Sequence, residues 1–351
     1  MKIAFGVCSL GLGHATRSIP VIKKLEEEGF DIVIISHNRA LTLLKKEFPN
    51  LKAYELEDFP IKYPPKAHQF IPYFFAKSNK IVRSLISSHK NFLKIHEEES
   101  FDLIISDSRF DIFHVDKPSF LIIHQLRFML PTKFLKDLSM FYNAYMAKYF
   151  TKILVPDFKN NSLTGEMSHG ISWIPKEKIE YIGPLSSFQR RDMERDIDIL
   201  ISISGPEPQR TLFENMVMEQ MDSLDGNVVV TLGRPENGGK KRKNVYYYLP
   251  LKKREELMNR SKLIISRSGY STIMDLYVVG GKAMFIPTPG QPEQEYLAKY
   301  LEKRKIAGYD SQDSFNLKEL IERSKYYEGF KGNYNALQSV ENIIRVISRW
   351  T

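Results

Sequence analysis

The sequence contains a single cysteine, Cys8, in 351 residues, so an internal disulfide is excluded. A chain of this length without disulfides is typical of a reducing compartment. No uncharged apolar run approaches the roughly 18 residues that a membrane-spanning helix needs. The short apolar start is not followed by an Ala-x-Ala cleavage site, and we interpret it as a buried first strand rather than a signal peptide.

Apolar residues, in contrast, are not scarce. Hydrophobic residues make up 42% of the chain and charged residues 26%, which excludes a mainly disordered protein. The charge is unbalanced, because 51 Lys and Arg face 42 Asp and Glu and leave a net charge of +9. Such an excess suits nucleic acid, an anionic membrane surface or a phosphorylated substrate, and composition alone leaves all three open.

Short apolar runs alternate with amphipathic stretches, which is typical of an α/β fold with helices on both faces of a parallel sheet. Strands are predicted at 2–7, 31–36, 52–55, 102–106, 119–124, 152–155, 197–202, 227–231, 245–249, 262–266 and 283–286. The alternation breaks around Gly183, Pro184 and the charged run 190–195. We therefore predict two doubly wound, Rossmann-like domains that face a cleft. The predicted division is a first domain at 1–185, a linker at 186–196, a second domain at 197–335 and a C-terminal helix at 336–351 that packs toward the first domain.

A glycine-rich loop follows the first predicted strand and precedes a helix predicted at 16–28. Its candidate site residues are Gly11, Gly13, His14 and Arg17. Glycines let the backbone approach a ligand, and a helix N-terminus favours a negative group. Thr16 and the non-acidic Ser36-His37-Asn38 depart from the dinucleotide pattern, which argues against an NAD site. His14 is a candidate general base, because an unperturbed imidazole titrates near pH 6.5; a His that caps the helix or packs between strands is the alternative.

Small polar residues also follow the strand predicted at 262–266. The candidate phosphate ligands there are Arg267, Ser268, Gly269, Ser271 and Thr272. Backbone N–H groups and hydroxyls at a helix start can cradle a phosphate, and Asp275, one turn further on, can accept both hydroxyls of a ribose. The alternative is an ordinary Ser N-cap with an acidic residue near the helix dipole.

A Pro- and Gly-rich loop carries Glu293 and Gln294 into a helix predicted at 294–303. A carboxylate beside an amide suits the recognition of sugar hydroxyls, because the two groups offer several acceptors and donors. A polar turn before a capped helix is the alternative.

Other polar residues follow predicted strands, at the sheet edge where open α/β proteins bind ligands. They are Asp107, His124 and Gln125 in the first half, and Ser204, Gly205 and Arg210 in the second. Asp107 can orient His14 or act as the base itself. Arg210, or the backbone at Ser204 and Gly205, can neutralise a diphosphate leaving group. A helix N-cap for Asp107, a buried hydrogen-bonded His124 and a plain loop for Arg210 remain alternatives.

The order of these motifs carries a resemblance. The series of a strand, R-x-G-x-S-T, an acidic residue, Gly-Gly, a strand, a Pro-rich loop, Glu-Gln and Leu-Ala resembles the nucleotide-binding half of GT-B glycosyltransferases, and is most similar to the MurG-like group. The opening G-x-G-H is similar to the first-domain loop of that group. MurG has a run of glycines where this chain has residues 9–13, so a divergent subfamily with its own acceptor is expected.

The resemblance implies a metal-independent hexosyl or N-acetylhexosaminyl transferase without a cofactor. Its donor would be a nucleotide sugar, usually a UDP-sugar such as UDP-N-acetylglucosamine, bound mainly by the second half, and the first half would bind the acceptor. By position, the resemblance assigns the diphosphate to Ser268, Gly269, Ser271 and Thr272, the ribose to Asp275 (more often Glu in that group), the donor sugar to Glu293 and Gln294, and the role of base or transition-state stabiliser to His14.

Two stretches of the first half, 70–94 and 127–152, combine basic residues with large aromatics. Apolar side chains can enter a membrane interface while each Lys or Arg contributes about 1 kcal/mol with anionic headgroups. We therefore expect a cytoplasmic protein that binds peripherally to the inner face of the cell membrane and uses a lipid-linked acceptor. The alternative is that the aromatics form the core. No nucleic-acid motif occurs, and no nucleic-acid partner is expected.

Two further functions stay open on the sequence. A nucleotide-sugar 2-epimerase shares this architecture and would need extra carboxylates near the anomeric centre of the sugar. A non-catalytic basic protein that binds membrane or RNA would gain no thermal protection from UDP.

Overall fold

The computed structural model describes residues 1–58, 70–234 and 239–351. The chain divides into two units. The first contains the described residues of Met1–Lys62, together with Ile71–Ser187 and Ala336–Thr351. The second contains Phe70 and the described residues of Phe188–Asn335.

Strands and helices alternate through the described chain. The strands are β1 (Lys2–Val7), β2 (Asp31–Ser36), β3 (Lys52–Glu55), β4 (Leu103–Asp107), β5 (Ser119–Ile122), β6 (Lys152–Val155), β7 (Ile179–Tyr181), β8 (Ile197–Ser202), β9 (Val228–Thr231), β10 (Lys240–Arg242), β11 (Val245–Tyr246), β12 (Ser261–Ser266), β13 (Lys282–Phe285) and β14 (Gly308–Tyr309). The helices are α1 (Leu12–Glu27), α2 (Asn38–Glu47), α3 (Phe70–Glu99), α4 (Lys133–Met146), α5 (Gln209–Gln220), α6 (Leu251–Asn259), α7 (Tyr270–Val279), α8 (Pro292–Lys303), α9 (Leu317–Arg323) and α10 (Leu337–Ile347).

Each unit is built on one seven-stranded sheet of described residues. The order is β3-β2-β1-β4-β5-β6-β7 in the first unit and β10-β11-β9-β8-β12-β13-β14 in the second. Neighbouring strands run parallel, except that β10 pairs antiparallel with β11. The central strands are continuous apolar runs such as Ile32–Ile35 and are buried, as expected for parallel sheets covered on both faces. The predicted α/β class with two doubly wound parallel sheets is confirmed.

Helix α10 contributes to the core of the first unit although it ends the chain. Its side chains Val340, Ile343 and Ile347 belong to the same buried apolar cluster as Val21 and Ile22 of α1. Polar contacts also hold it, because Ser339 Oγ donates to the carbonyl of Pro184 at 2.7 Å, and Asn342 Nδ2 donates to the carbonyl of Ile182 at 3.0 Å.

The strand order reverses at one point in each sheet, between β1 and β4 and between β8 and β12. Open α/β sheets bind ligands at the carboxyl ends of the strands at such a reversal. In the first unit Val7 lies beside Asp107, and in the second Ser202 lies beside Ser266, each pair at or near the ends of its two strands. The candidate residues that follow these strands therefore share one edge within each unit.

Three predicted boundaries were wrong in ways that matter for the site. Helix α1 begins at Leu12 instead of residue 16, because Gly11, at φ 102°, takes the change of direction in one residue, and His14 therefore lies in the first helical turn instead of on a loop. Asp107 is the last residue of β4 and does not follow it. Helix α8 begins at Pro292, whose fixed φ suits the first helical position, so Glu293 and Gln294 are already helical.

Helix α4 carries apolar side chains on two faces. It buries Met140, while Phe134, Leu138, Phe141 and Tyr145, which we call the α4 stripe, are exposed by 74%, 46%, 58% and 48%. Their spacing of four, three and four residues places them on one face. The aromatics of 127–152 are therefore only partly core residues. The predicted basic-aromatic residues 70–76 lie outside the side chains that the structure describes, whereas Phe92 is fully buried. Within the described residues, no helix combines the length and apolarity needed to cross a bilayer.

Candidate active site

The first unit brings His14 and Asp107 together at the reversal point of its sheet. Nδ1 of His14 lies 2.9 Å from Oδ1 of Asp107. The carboxylate is completely buried, and the imidazole retains 16% exposure. An ionised carboxylate only accepts hydrogen bonds, so His14 donates from Nδ1 and its Nε2 carries the lone pair. Among the described residues, no hydrogen bond occupies Nε2 of His14.

Arg17, one turn after His14 on α1, binds the same carboxylate through two nitrogens, with Nε 2.7 Å from Oδ2. The hydroxyl of Ser18 donates to that oxygen at 3.0 Å. Burial alone would raise the pKa of Asp107, but the positive charge of Arg17 and the nearby His14 outweigh it and hold that pKa well below its usual range. Asp107 therefore stays ionised at neutral pH.

His124 completes this group from the end of β5. Its Nδ1 lies 3.0 Å from Nη1 of Arg17, and its ring centroid lies 5.9 Å from that of His14. Because Arg17 is an obligatory donor, Nδ1 of His124 accepts this hydrogen bond. Gln125 follows at the same edge, half-buried, and its carbonyl accepts from Asn143 Nδ2 at 3.2 Å. The five predicted residues Arg17, His14, Asp107, His124 and Gln125 thus lie at one edge of the first unit.

The loop before α1 is fixed by residues that sequence reasoning missed. Asp58 accepts from the backbone N–H of Ser9 at 2.5 Å and from its hydroxyl at 2.7 Å. Beneath it, Arg109 is fully buried, with its guanidinium 4.0 Å from Asp58 and paired with Asp111 at 2.5 Å. Arg109 follows Asp107 by two residues, so the rule that ligand-binding edges collect polar residues could have found it. Asp58 lies far along the chain from any predicted motif.

In the second unit, the predicted phosphate segment forms the start of α7. Gly269 is the N-cap, Ser271 and Thr272 are half-buried in the first turn, and Asp275 is half-buried one turn later. Ser268 is completely buried, and its hydroxyl donates to the carbonyl of Gln294 at 2.8 Å. The hydroxyl of Ser268 therefore joins the starts of α7 and α8.

The side chain of Gln294 supports the loop before α8. Its Oε1 accepts from the backbone N–H of Thr288 at 2.8 Å, and its Nε2 donates to Gln291. Glu293, one residue earlier, is half-buried. The two residues of the predicted acidic-amide pair thus have different surroundings. The amide of Gln294 is hydrogen-bonded to the loop, whereas Glu293 is half-buried.

Arg267 is the centre of the second-unit edge. Its side chain is 1% exposed. It donates to the carbonyls of Ser204, Gln209, Ile286 and Pro287, and to Oε1 of Gln312, at distances of 2.5–3.4 Å. The guanidinium also lies 4.4 Å from the ring of Phe213. No carboxylate of the described residues pairs with Arg267, and burial lowers its pKa to about 9. It remains charged at neutral pH and holds together four segments of the chain, three loops and the start of α5.

The loop after β8 carries the remaining predicted residues. Ser204 and Gly205 are exposed. Gly205 has φ 117°, a conformation that side chains disfavour. Arg210 is buried, donates to Glu207 and to the carbonyl of Leu232 at 3.3 Å, and lies 3.7 Å from Glu214. Two carboxylates therefore already neutralise much of the charge of Arg210, in contrast to Arg267.

The absence of a metal requirement stays a prediction. Among the described residues, no three His, Cys, Asp or Glu side chains come together as a group that could hold an ion.

Comparisons with known proteins match both halves of the chain. A family model described as glycosyl transferase family 1 matches residues 1–164, and one described as the glycosyltransferase family 28 C-terminal domain matches residues 226–333. Together they cover more than three quarters of the chain. A curated relative from Methanosarcina mazei, described as an uncharacterized glycosyltransferase, is 24% identical over 366 residues, with 94% of this chain and 93% of the relative covered.

Solved structures with a similar fold include the spinosyn rhamnosyltransferase SpnG, with a TM-score of 0.63, 13% identity and 99% of both chains covered. MurG of Acinetobacter baumannii is similar with a TM-score of 0.56, 12% identity, and 99% of this chain and all of MurG covered. SpnG has also been solved with thymidine diphosphate, and that structure is similar with a TM-score of 0.55, 14% identity, and 99% and 92% of the two chains covered. At these identities the similarity concerns the fold.

Proposed function

From the premise that the chain is a divergent glycosyltransferase with the GT-B fold, we propose that it transfers a hexosyl or N-acetylhexosaminyl group from a nucleotide sugar to an acceptor hydroxyl. The second unit binds the donor and the first binds the acceptor. A UDP-sugar such as UDP-N-acetylglucosamine is the first donor to test, because the R-x-G-x-S-T and Glu-Gln motifs resemble those of UDP-sugar enzymes. Thymidine diphosphate, bound to the similar SpnG, is the second nucleotide to test.

The observation that carries the proposal is the pair of His14 and Asp107. With Nδ1–H directed to the buried carboxylate, Nε2 is the basic atom of the imidazole. Nε2 takes the proton of the acceptor hydroxyl as its oxygen bonds to the anomeric carbon of the donor sugar. The bond from that carbon to the diphosphate oxygen breaks, and the nucleoside diphosphate leaves with the electron pair. Asp107 stabilises the imidazolium that forms.

The departing diphosphate gains negative charge in the second unit. We assign its stabilisation to the N-terminus of α7, where Ser271 and Thr272 offer hydroxyls, and to the positive charge of Arg267. These groups can act without a metal ion. A buried charge with no carboxylate partner among the described residues acts more strongly than an exposed one, because water screens it less.

The first unit, which we propose binds the acceptor, carries an exposed apolar surface that suits contact with a membrane. The α4 stripe exposes four large apolar side chains in the first unit, and Trp173, 48% exposed, lies edge-on to Phe141 at 5.7 Å. Lys133 and Lys136 are carried by the same helix, and Lys148 lies over the ring of Tyr145 at 5.7 Å. Apolar side chains flanked by cations suit an interface of anionic lipids. We therefore propose a lipid-linked acceptor and peripheral binding to an anionic membrane.

The test is a panel of nucleoside diphosphates and nucleotide sugars, read by thermal shift, followed by product analysis with the donor that responds. We expect release of free nucleoside diphosphate that depends on an acceptor and persists in EDTA. His14→Ala should lower the rate of release about 10²–10⁴-fold, whereas His114→Ala, on the loop before β5, should not change it. An isomer of the sugar nucleotide without free diphosphate would indicate an epimerase instead. No response to any nucleotide would contradict the donor site.

A further inference from the structure

One buried hydroxyl in the second unit has no partner. Within the described residues of that unit, Thr288 Oγ1 is the one buried side-chain polar atom without a hydrogen bond. Thr288 is 1% exposed. Its backbone is satisfied, because its N–H donates to Gln294 Oε1 at 2.8 Å and its carbonyl accepts from the N–H of Gln291 at 3.1 Å. Only the hydroxyl is left over.

An unpaired buried hydroxyl destabilises a folded protein, and valine has the same shape without that group. A threonine at this position therefore implies a hydrogen-bond partner that is not part of the protein. Buried polar groups in native proteins find partners in more than about nine cases of ten.

The residue next to this hydroxyl is a glycine, which has no side chain to fill the adjacent position. A side-chain carbon built on Gly205 would have Thr288 Oγ1 as its nearest neighbour, at 3.5 Å, and Arg267 Nε as the next, at 3.7 Å. Gly205 itself is exposed. Any larger residue would be strained at φ 117° and would fill the position that faces the hydroxyl. The orphan donor and the open position are thus in van der Waals range of one another.

The positive charge of Arg267, beside this position, determines which kind of ligand group can bind there. Arg267 is buried without a carboxylate partner among the described residues, and its N–H groups are already committed to protein oxygens. It therefore contributes a positive potential but no free donor. A ligand group here must carry negative charge and must accept a hydrogen bond from the threonine. A phosphate oxygen meets both requirements.

We propose that Thr288 donates a hydrogen bond from Oγ1 to a phosphate oxygen of the nucleoside diphosphate, in the space between Gly205 and Arg267. This inference rests on the proposed function, because it assumes a nucleotide-sugar donor. The proposal adds Thr288, on the Pro-rich loop, to the phosphate ligands at the N-terminus of α7. The phosphate oxygen that Thr288 binds would also lie close to the positive charge of Arg267.

The experiment compares Thr288→Val and Thr288→Ser in the full-length protein, by calorimetric titration with a nucleoside diphosphate and with the same nucleoside. Thr288→Val should weaken binding of the diphosphate about tenfold, because a hydrogen bond to a charged oxygen is lost. Binding of the nucleoside should not change, and Thr288→Ser should restore diphosphate binding to within about threefold.

Thermal unfolding of the free protein separates this role from a structural one. Thr288→Val should leave the Tm of the free protein unchanged or raise it, because an unpaired hydroxyl is removed. Thr164→Val is the matched control, since Thr164 is equally buried but its hydroxyl donates to Asp157 at 2.5 Å. That variant should lose stability and keep its diphosphate affinity. A comparable loss of stability in Thr288→Val would show a partner within the protein and overturn the proposal.

The role of Thr288 and the proposed donor site can be tested separately. If the unmodified protein binds nucleoside diphosphates and Thr288→Val binds them equally well, the role of Thr288 is wrong and the donor site stands. If the unmodified protein binds none of them, the proposed function is wrong, and the assignment of a diphosphate ligand to Thr288 is wrong as well.

Discussion

The carboxylate of Asp107 forms a two-nitrogen hydrogen bond with Arg17 and is completely buried beneath it. The same carboxylate lies 2.9 Å from Nδ1 of His14. One group thus serves as a structural ion pair and as the orienting partner of the candidate base. Substitutions of Asp107 and of His14 should therefore have different effects on stability, because only a substitution of Asp107 breaks the buried ion pair with Arg17.

His14→Ala should lower kcat by about 10²–10⁴-fold, the usual contribution of a general base. The imidazole is partly exposed, and Arg17 still pairs with the buried carboxylate of Asp107 after the imidazole is removed, so the Tm should change little. Steady-state release of nucleoside diphosphate and thermal unfolding of the same preparation check both parts. A variant with full activity would remove His14 from the mechanism.

Asp107→Asn should lose both activity and stability. The amide cannot balance Arg17, and leaving one member of a buried pair uncompensated costs about 3–5 kcal/mol. The folded-state pKa of Asp107 lies below its unfolded value, so the stability that its charge provides is present above about pH 4 and decreases below it. Denaturant unfolding at pH 7 should show the large loss. Equal unfolding free energies for Asp107→Asn and His14→Ala would contradict the shared role.

The sheets could be predicted because their strands are continuous apolar runs with sharp polar boundaries. The predicted bounds of β1, β2, β3, β6 and β8 coincide with those of the structure. Strand β10 gave no such signal: its three residues are Lys and Arg, all exposed, and only pairing with β11 makes them a strand. The two-residue strand β14 is too short to show any alternation.

The site could be predicted only where a side chain lies at the end of a recognisable strand or soon after it. His14, Asp107 and His124 satisfy that rule and lie together. Asp58 escaped it, because its contact with Ser9 joins segments 49 residues apart and depends on tertiary packing. Thr288 lies in a predicted loop, but its lack of a partner is a property of the folded environment and not of the sequence.

Two substitutions of Arg267 can distinguish the effect of its charge on the ligand from its structural role in holding the surrounding segments. Arg267→Met and Arg267→Lys should each lower the unfolding free energy by about 3 kcal/mol, because neither can reach the five oxygens that the guanidinium now satisfies. Arg267→Lys keeps a positive charge and should bind nucleoside diphosphate more tightly than Arg267→Met. Titrations at a temperature where both variants are folded check this order. Equal affinities would mean that the charge does not act on the ligand.

Acid stability should depend on Glu99, at the amino edge of the first sheet. Hydrogen bonds from Lys2, Lys52 and Tyr54 lower its pKa to about 2 from an ordinary value of 4.5. Because the folded-state pKa is depressed, the stabilisation is fully present above about pH 4.5 and is lost as the pH falls toward 2. Glu99→Gln should therefore have a lower Tm than the unmodified protein at pH 7. At pH 2.5 the difference in Tm between the two proteins should be smaller. A difference in Tm that is independent of pH would contradict this assignment.

Membrane binding should depend on the α4 stripe. Replacing Phe134 and Phe141 by Ser removes two of its exposed rings, 74% and 58% accessible, and should not disturb the core. We expect sedimentation with vesicles rich in anionic lipid to fall at least about tenfold, because burying each ring contributes about 1.5–3 kcal/mol. Leu212→Ser, which replaces an apolar residue of α5 in the second unit that is 48% exposed, should sediment like the unmodified protein. Binding that is lost with added salt but unaffected by the double substitution would assign the interaction to the lysines alone.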